Sequence, residues 1–189
     1  MSHSPPDADI ADMRRLAAGD DVALNDIMRR WQEKVAAFLQ RMTGNPTVAV
    51  DLAQETFVRL YQHRGSYSPK ASFATYLFRI AANLARNHQR WLRRHPTVAI
   101  DDENVPVHEL ASAEETPDGK AEKRERLQIV ESALAALPEE LREAMLLFTH
   151  EDMSHAEIAR IAGCSPKAVE TRIYRARQIL RNLLKDLDD

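Results

Sequence analysis

Apolar residues recur at helical spacing through most of the chain, and this periodicity constrains the fold more than any other feature. From Ile10 to about Arg94 the sequence reads as successive amphipathic helices, with a clear break at Gly44-Asn45-Pro46. Two segments carry apolar faces at helical spacing, which indicates helices that share a core. Their members are Ala53, Phe57, Leu60 and Tyr61 in one helix and Phe73, Leu77, Ile80, Ala81 and Leu84 in the next. We therefore predict an all-α fold.

The periodicity disappears in the middle of the chain. Prolines, acids and small residues accumulate from Pro96 to about Pro117, and the helical pattern returns after them. This composition is typical of a tether between domains. We expect two small helical domains, at residues 10–95 and 126–187, joined by a flexible acidic linker at residues 96–125.

Composition supports such a chain and excludes several other classes. The 189 residues include five glycines and nine prolines, with 44% hydrophobic and 29% charged residues, an ordinary globular balance. The polar start Met1 to Asp12 lacks the apolar stretch of a signal peptide, and no apolar run is long enough to cross a bilayer. We expect a cytoplasmic protein without membrane insertion. Because Cys164 is the single cysteine, no internal disulfide forms, and we predict neither a cofactor nor a metal site.

The charge distribution is more informative than its total. The formal net charge of -3 and the pI near 6.2 are unusual for a nucleic-acid binder. However, the segment from Arg86 to His95 has four arginines and no acid, and the segment from Ser165 to Lys185 has six basic residues and the single acid Glu170. Two separate basic helices therefore become candidates for nucleic-acid contact.

The segment from Ser154 to Val169 has the pattern of a helix-turn-helix. Ser154 is suited to cap a first helix, with Glu157 three residues later completing a capping box. Gly163 supplies the turn, and Ser165 followed by a proline is a typical start of a second helix. This spacing predicts a helix-turn-helix in the C-terminal domain.

The outer face of the second helix follows from its packed face. Apolar side chains at helical spacing, Val169, Ile173, Ala176 and Leu180, must face the core. The residues that point away are Lys167, Glu170, Thr171, Tyr174, Arg175 and Gln178. Such a face suits the major groove of DNA, where Arg and Lys bind guanine edges or phosphates. Glu170 is the residue of this face that fits DNA binding least, because its carboxylate repels phosphate. Its favourable interaction with DNA would be to accept a hydrogen bond from a cytosine amino group.

A helix in the N-terminal domain has a polar outer face of its own. Ala53 and Phe57 point inward, which leaves the opposite face to Asp51, Gln54, Glu55 and Val58. Taken alone, such a face is more often solvated than bound to a partner.

Four stretches of the sequence carry a resemblance to a known family. They are Asp51 to Phe57, the Ser72 to Asn87 helix, the opening Leu137-Pro138-Glu139-Glu140-Leu141-Arg142 and the run Arg172-Ile173-Tyr174-Arg175-Ala176-Arg177. Together they resemble the extracytoplasmic-function (ECF) group of sigma-70-type sigma factors. The match covers both predicted domains, in order, with the expected acidic linker between them.

The resemblance implies roles for the residues at matching positions. Asp51, Gln54 and Glu55 lie where the family docks on the clamp helices of the polymerase largest subunit. The loop from His63 to Ala71 corresponds to the one that captures a base flipped out of the duplex. The residues implied to contact the minus-ten promoter element are Asn83, Arg86, Asn87 and Arg90. Those implied to read the minus-thirty-five element are Glu170, Thr171, Tyr174 and Arg175, although Glu170 departs from the basic or small residue common there.

The predicted function is therefore promoter-specific transcription initiation without catalytic chemistry of its own. The implied partners are core RNA polymerase, promoter DNA and an anti-sigma factor. One alternative is a helix-turn-helix repressor or activator that binds duplex DNA without polymerase, but such a protein needs neither the Asp51 to Phe57 helix nor the Asn83 to Arg94 helix. A second alternative, a protein-binding helical adaptor, leaves the two basic helices unexplained.

Overall fold

The computed structural model describes residues 6–68, 71–96 and 117–185. Within these residues the secondary structure consists of eight α-helices and one short 3-10 helix, without a strand, so the all-α prediction is confirmed there. The α-helices are α1 (Pro6–Ala17), α2 (Val22–Thr43), α3 (Pro46–Gln62), α4 (Phe73–Arg94), α5 (Pro117–Ala135), α6 (Glu139–Thr149), α7 (His155–Ala162) and α8 (Pro166–Leu183). The 3-10 helix, Arg64–Ser66, lies between α3 and α4.

Helices α1 to α4 form the N-terminal module, in which α4 contributes an apolar face to the core. Phe78 on α4 is fully buried and contacts two rings of α2 edge-on, with centroid distances of 6.3 Å to Trp31 and 5.3 Å to Phe38. Phe73 is also buried, 5.6 Å from the Trp31 ring. Edge-to-face pairs of this kind add about 0.5–1.5 kcal/mol each to the burial of their surface. The position of α4 in the module is therefore well determined by its aromatic contacts.

The predicted break between α2 and α3 is built from residues suited to helix ends. Gly44 ends α2 with a φ of 72°, a left-handed conformation that glycine adopts without steric cost. Asn45 caps α3, since its side-chain oxygen accepts a hydrogen bond from the backbone N–H of Val48 at 3.0 Å, and Pro46 follows at the first helical position. These local signals fix the reversal of the chain between the two helices.

Buried carboxylates attach α1 to α2. Asp9 accepts hydrogen bonds from Nε1 of Trp31 and from Nε of Arg30, both at 3.0 Å. Asp12 accepts from Nη2 of the same arginine at 2.6 Å. Since both carboxylates are paired and hydrogen-bonded, their burial is compensated. Helix α1 begins at Pro6, a few residues before the predicted start of the domain.

Helices α5 to α8 form the C-terminal module. Helix α6 begins directly after Pro138 with Glu139 and Glu140 in its first turn, where acids interact favourably with the helix dipole. None of the described helices is both long and apolar enough to cross a membrane. The buried side chains of this module include Leu134, Leu137, Leu146, Leu147, Ile158, Ile161, Val169 and Ile173.

The two modules contact each other. Helix α4 packs against α7, helix α2 packs against α5 and α6, and the buried side chains of both modules belong to one continuous cluster. Most of the predicted linker, residues 97–116, lies outside the described residues. Helix α5 begins at Pro117, inside the range predicted as linker.

Candidate functional site

Helices α7 and α8 meet at a tight turn whose geometry matches the sequence pattern. Ser154 caps α7, because its Oγ accepts a hydrogen bond from the backbone N–H of Glu157 at 3.3 Å, while the Glu157 carboxylate accepts from the backbone N–H of Ser154 at 3.1 Å. Gly163 ends α7 with a φ of 67°, and Ser165 caps α8 by accepting from a backbone N–H of its first turn at 3.1 Å. The predicted helix-turn-helix is therefore present.

The outer face of α8 is open to solvent. The core side of the helix is buried through Val169, Ile173 and Ala176, as the spacing predicts. Tyr174 is 63% exposed, which leaves its ring and hydroxyl free to meet a partner. The five residues predicted to bind DNA on this helix are all exposed on the other side: Lys167, Glu170, Thr171, Tyr174 and Arg175. The structure thus brings them together on one face.

An ion pair changes the charge that this face presents. Nζ of Lys167 lies 2.8 Å from a carboxylate oxygen of Glu170, one helical turn away. The hydrogen bond from Lys167 and its positive charge lower the pKa of Glu170 below its ordinary value. Glu170 therefore stays ionised at neutral pH and offsets the charge of Lys167. Arg175 is the remaining predicted cation of this face.

On α4, three of the four predicted DNA-contact residues form an open polar stripe. Asn83, Asn87 and Arg90 are exposed, and their spacing of four and then three residues aligns them along the helix. Arg94 continues the stripe and is also exposed. Amide and guanidinium groups in such a row suit hydrogen bonds to phosphates and base edges.

Arg86, the fourth predicted contact, is turned toward the C-terminal module. Its Nη1 donates to both carboxylate oxygens of Glu143 on α6, at 2.6 and 2.7 Å, and its Nη2 donates to the backbone carbonyl of Ile161 at 3.3 Å and to the side-chain oxygen of Asn83. Glu143 is only 3% exposed. Burial raises the pKa of Glu143, and the Arg86 charge and hydrogen bonds oppose this rise. The structure therefore directs Arg86 toward the C-terminal module, although it keeps a hydrogen bond to Asn83 of the stripe.

The outer face of α3 combines polar and apolar side chains. Asp51 and Gln54 are exposed, and Glu55 is half-buried and pairs with Arg59 at 2.7 Å. Val58 is 47% exposed in the same patch. The three residues predicted to bind polymerase therefore share one accessible face.

Comparison with known proteins assigns the chain to a family. A family model described as Sigma-70 region 2 matches residues 27–95, and one described as Sigma-70, region 4 matches residues 127–180. The chain is 33% identical over 183 residues to the ECF RNA polymerase sigma-E factor of Haemophilus influenzae, with 95% of this chain and 96% of the relative covered. This chain belongs to the ECF sigma factors. The protein of the same name from Escherichia coli (strain K12) is 33% identical over 179 residues, 93% of either chain.

Family membership, predicted from the sequence, is thus confirmed for this sigma factor, and two solved structures resemble its fold. One is CnrH in complex with the cytosolic domain of CnrY, with a TM-score of 0.68 and 29% identity over 96% of this chain and 99% of that one. The other is the sigma factor RpoE in complex with the anti-sigma factor NepR from Bartonella quintana. Its TM-score is 0.63, with 24% identity over 85% of this chain and 96% of that one.

The loop predicted to capture a flipped base lies beside an aromatic cluster in the sigma factor. The ring of Tyr67 is 5.1 Å from that of Tyr76 and 6.3 Å from that of Phe73. The Tyr67 hydroxyl is buried and has no hydrogen-bond partner within the described part of the chain, and burial raises the pKa values of both tyrosines. Residues 69–70 of the predicted loop lie outside the described residues.

Sequence reasoning missed Arg177 of the sigma factor, which borders the outer face of α8. Its guanidinium lies 5.3 Å from the ring centroid of Phe148, and both residues line a groove together with His155 and Tyr174. Arg177 follows Glu170 by seven residues, a spacing that returns to the same side of a helix. Helical spacing alone would have included it, whereas Phe148 on α6 carried no signal in the sequence.

Trp91, near the end of α4, is a second side chain to which sequence reasoning gave no role. The side chain is 43% exposed and stacks on His95, with ring centroids 4.8 Å apart and an interplanar angle of 25°. His88 stacks at 6.4 Å. The aromatic stack therefore lies on the solvent-facing side of the helix that carries the polar stripe.

Proposed function

We propose that this sigma factor binds core RNA polymerase and directs transcription initiation at specific promoters. One observation carries the proposal: a single chain with the family's two modules presents an exposed polar stripe on α4 and an exposed helix-turn-helix face on α8. In this proposal the N-terminal module recognises and melts the minus-ten element and the C-terminal module binds the minus-thirty-five element. The chain supplies recognition from the cytoplasm and leaves the catalytic chemistry to polymerase.

The proposed polymerase contact is the outer face of α3. Asp51, Gln54 and Glu55 offer carboxylate and amide groups, and Val58 adds an exposed apolar side chain to the patch. A polar patch with one exposed apolar residue fits a reversible interface, in which orientation comes from hydrogen bonds and charge.

The proposed DNA contacts fall on two helices. On α4, Asn83, Asn87 and Arg90 are accessible to a melted strand, whose bases offer their edges to amide and guanidinium donors. On α8, the recognition helix carries Thr171 and Arg175 on its exposed side, and the recognition helix is the part of a helix-turn-helix that enters the major groove.

An anti-sigma factor is the proposed regulatory partner. The structure of CnrH was determined with the cytosolic domain of CnrY, and that of RpoE with the anti-sigma factor NepR. By this analogy we propose that a protein partner covers the polymerase-binding or DNA-binding faces of this chain.

Reconstitution with core polymerase tests the proposal. Purified full-length protein added to core enzyme should produce transcripts that start at discrete sites on genomic DNA. The variant Asp51→Arg should reduce binding to core enzyme by about tenfold or more, because a docking patch is sensitive to charge reversal. Glu33→Arg makes the same change of charge at an exposed position of α2 and should leave binding unchanged. Strong duplex binding by the chain alone, without any association with core enzyme, would favour the repressor function instead.

A further inference from the structure

Three aromatic rings lie in line on the surface of α4, near its end. Trp91 is flanked by His88 and His95, with ring centroids 6.4 and 4.8 Å away and interplanar angles of 22° and 25°. Nδ1 of His95 donates to the backbone carbonyl of Trp91 at 2.9 Å, which fixes the orientation of this imidazole. The three side chains, named here the ring stack, are therefore held nearly parallel before any partner binds.

Packing of the core does not require the ring stack. The last buried residue of α4 is Ala85, and none of the residues from Arg86 to Arg94 is buried. The side chain of Trp91 is 43% exposed, whereas Trp31 of the same module is 6% exposed in the core. An ordered aromatic surface that contributes little burial to the fold is a candidate binding surface, because its side chains pay little additional entropy when a partner binds.

The ring stack faces away from the C-terminal module. Arg93 pairs with Glu139 of α6 at 2.8 Å, which marks the side of α4 that faces this module. Trp91 precedes Arg93 by two residues, which corresponds to about 200° around a helix. The two side chains therefore point to nearly opposite sides, and the contact with α6 leaves the ring stack open.

Positive charge surrounds the ring stack. The segment from Arg86 to His95 contains four arginines and no acid, and Arg90 and Arg94 are exposed. Trp91 and Arg94 are three residues apart, which places them about 60° apart around the helix, so the rings border the polar stripe. Rings beside guanidinium groups match the two parts of a nucleotide, because bases stack on rings and phosphates bind guanidinium. The centre of a protein interface would instead have apolar neighbours.

From these observations we infer that the ring stack is a base-stacking platform for the promoter strand. One nucleotide, next to those proposed to contact Asn83 and Asn87, stacks on the rings, and Arg94 binds its phosphate. This inference rests on the proposed function and adds to it a contact that reads no base edge, because stacking tolerates every base. Trp91 then strengthens the hold on the melted strand without narrowing the choice of sequence.

Substitution of Trp91 in the reconstituted holoenzyme tests the platform. The probe is a fluorescent oligonucleotide with the non-template strand around the minus-ten element of a promoter mapped by its transcript starts. Trp91→Ala should weaken binding of this strand about tenfold, as expected for the loss of one stacked base, and Trp91→Phe, which keeps a ring, should recover most of it. Val22→Ala removes an exposed apolar side chain of α2 and should leave binding unchanged. Equal affinities of wild type and Trp91→Ala would overturn the inference.

Removal of single bases from the strand distinguishes stacking from other effects of the substitution. When abasic nucleotides are introduced one at a time, one position should weaken binding to wild type about tenfold but leave binding to Trp91→Ala nearly unchanged, because the base and the ring act as a pair. That position should accept any of the four bases. If wild type and variant respond alike at every position, no base stacks on Trp91.

Salt dependence distinguishes the rings from the charge beside them. Arg94→Ala should make the dependence of log affinity on log salt shallower by about 0.7, the value for one phosphate contact on a single strand. Trp91→Ala should lower the affinity and leave this slope unchanged, because stacking releases no counterions. A changed slope for Trp91→Ala, or an unchanged one for Arg94→Ala, would contradict these roles.

Assembly with core polymerase is measured with the same variants. If Trp91→Ala weakens assembly and leaves the affinity of the assembled holoenzyme for the strand unchanged, the ring stack is a protein contact and the inference is wrong. Failure of the proposed function would appear earlier, as the absence of discrete transcript starts with the wild-type protein. Discrete starts together with an unaffected Trp91→Ala variant would reject the platform alone, so the two proposals fail separately.

Discussion

Oγ of Ser72, the N-cap of α4, lies 2.8 Å from the carboxylate of Glu157, which also completes the capping box of α7. One carboxylate thus joins the starts of two helices from different modules. Its pKa combines opposite influences. Burial acts to raise the pKa of Glu157, but hydrogen bonds from Ser154, Ser72 and Thr75 outweigh it, so the net pKa lies below the ordinary value.

Because of this double role, Glu157→Ala should destabilise the protein more than Ser154→Ala. Loss of the N-cap alone costs about 1 kcal/mol, whereas loss of Glu157 also removes the acceptor for Ser72 and Thr75. Urea unfolding at neutral pH measures the difference. A carboxylate whose pKa is lower in the folded state than in the unfolded state stabilises the fold at pH values above its unfolded pKa. This stabilisation is lost as pH falls through the folded pKa. Removing Glu157 should therefore weaken the fall of stability on the acid side, below about pH 4.5. Equal effects of the two variants would contradict the shared role.

Glu151, in the loop after α6, should affect the pH dependence of stability in the direction opposite to Glu157. Burial raises the pKa of Glu151 from 4.5 to about 7, although the positive charges of Lys34 and Arg41 oppose the rise and Asp152 adds to it. The folded state then holds a proton that the unfolded state releases, so this group makes the protein less stable as pH rises from about 4.5 to 7.

The variant Glu151→Gln tests this pH dependence. The substitution should remove the contribution of Glu151 to the pH dependence of the free energy of unfolding. The variant should therefore gain stability relative to wild type as pH rises from about 4.5 to 7. Burial lowers the pKa of neighbouring His150, which contributes a slope of the opposite sign. The difference between wild type and variant at each pH, measured by urea unfolding, isolates Glu151. A difference that does not change with pH would show that the carboxyl is not perturbed.

At the promoter-reading face, Glu170→Gln should increase binding to minus-thirty-five DNA. The substitution releases Lys167 from its ion pair and removes an acid that repels phosphate. If Lys167 then reaches a phosphate, log affinity should fall more steeply with log salt, by about 0.9. Fluorescence anisotropy with labelled duplexes, at several salt concentrations, gives both quantities. A loss of affinity confined to sites with a particular cytosine would instead show that Glu170 reads that base.

Arg175→Ala should have the reverse effect on the same measurement. The side chain is exposed on the outer face of α8, so its loss should weaken duplex binding and make the salt dependence shallower by about 0.9. Arg29→Ala is a suitable control, because it removes the same charge at an exposed position of α2, outside the helix-turn-helix. An unchanged salt slope and promoter choice for Arg175→Ala would remove this residue from the reading face.

Local signals explain what could be predicted from the sequence. The helix-turn-helix depends on Ser154, Gly163 and Ser165, whose roles are set by neighbours within a few residues. Helical spacing then places Thr171 and Arg175 outward without knowledge of the rest of the fold.

Contacts between distant segments could not be predicted. Arg86 and Glu143 are 57 residues apart, and nothing near either residue indicates the other. The same holds for Asp9, which binds Arg30 and Trp31 of the next helix. In these cases charged side chains are paired inside the structure, because tertiary packing decides which charges meet.

The stack of Trp91 and His95 also gives the molecule a built-in optical reporter. Of the two tryptophans in the chain, Trp31 is 6% exposed in the core of the N-terminal module, whereas Trp91 is 43% exposed beside the polar stripe of α4. Indole emission depends on contact with water, so the two side chains emit at different wavelengths. A partner that binds α4 should shift the longer-wavelength emission of Trp91 and leave the shorter-wavelength emission of Trp31 unchanged. Unfolding should shift the emission of Trp31. Binding and folding can thus be followed in the unlabelled protein from a single spectrum.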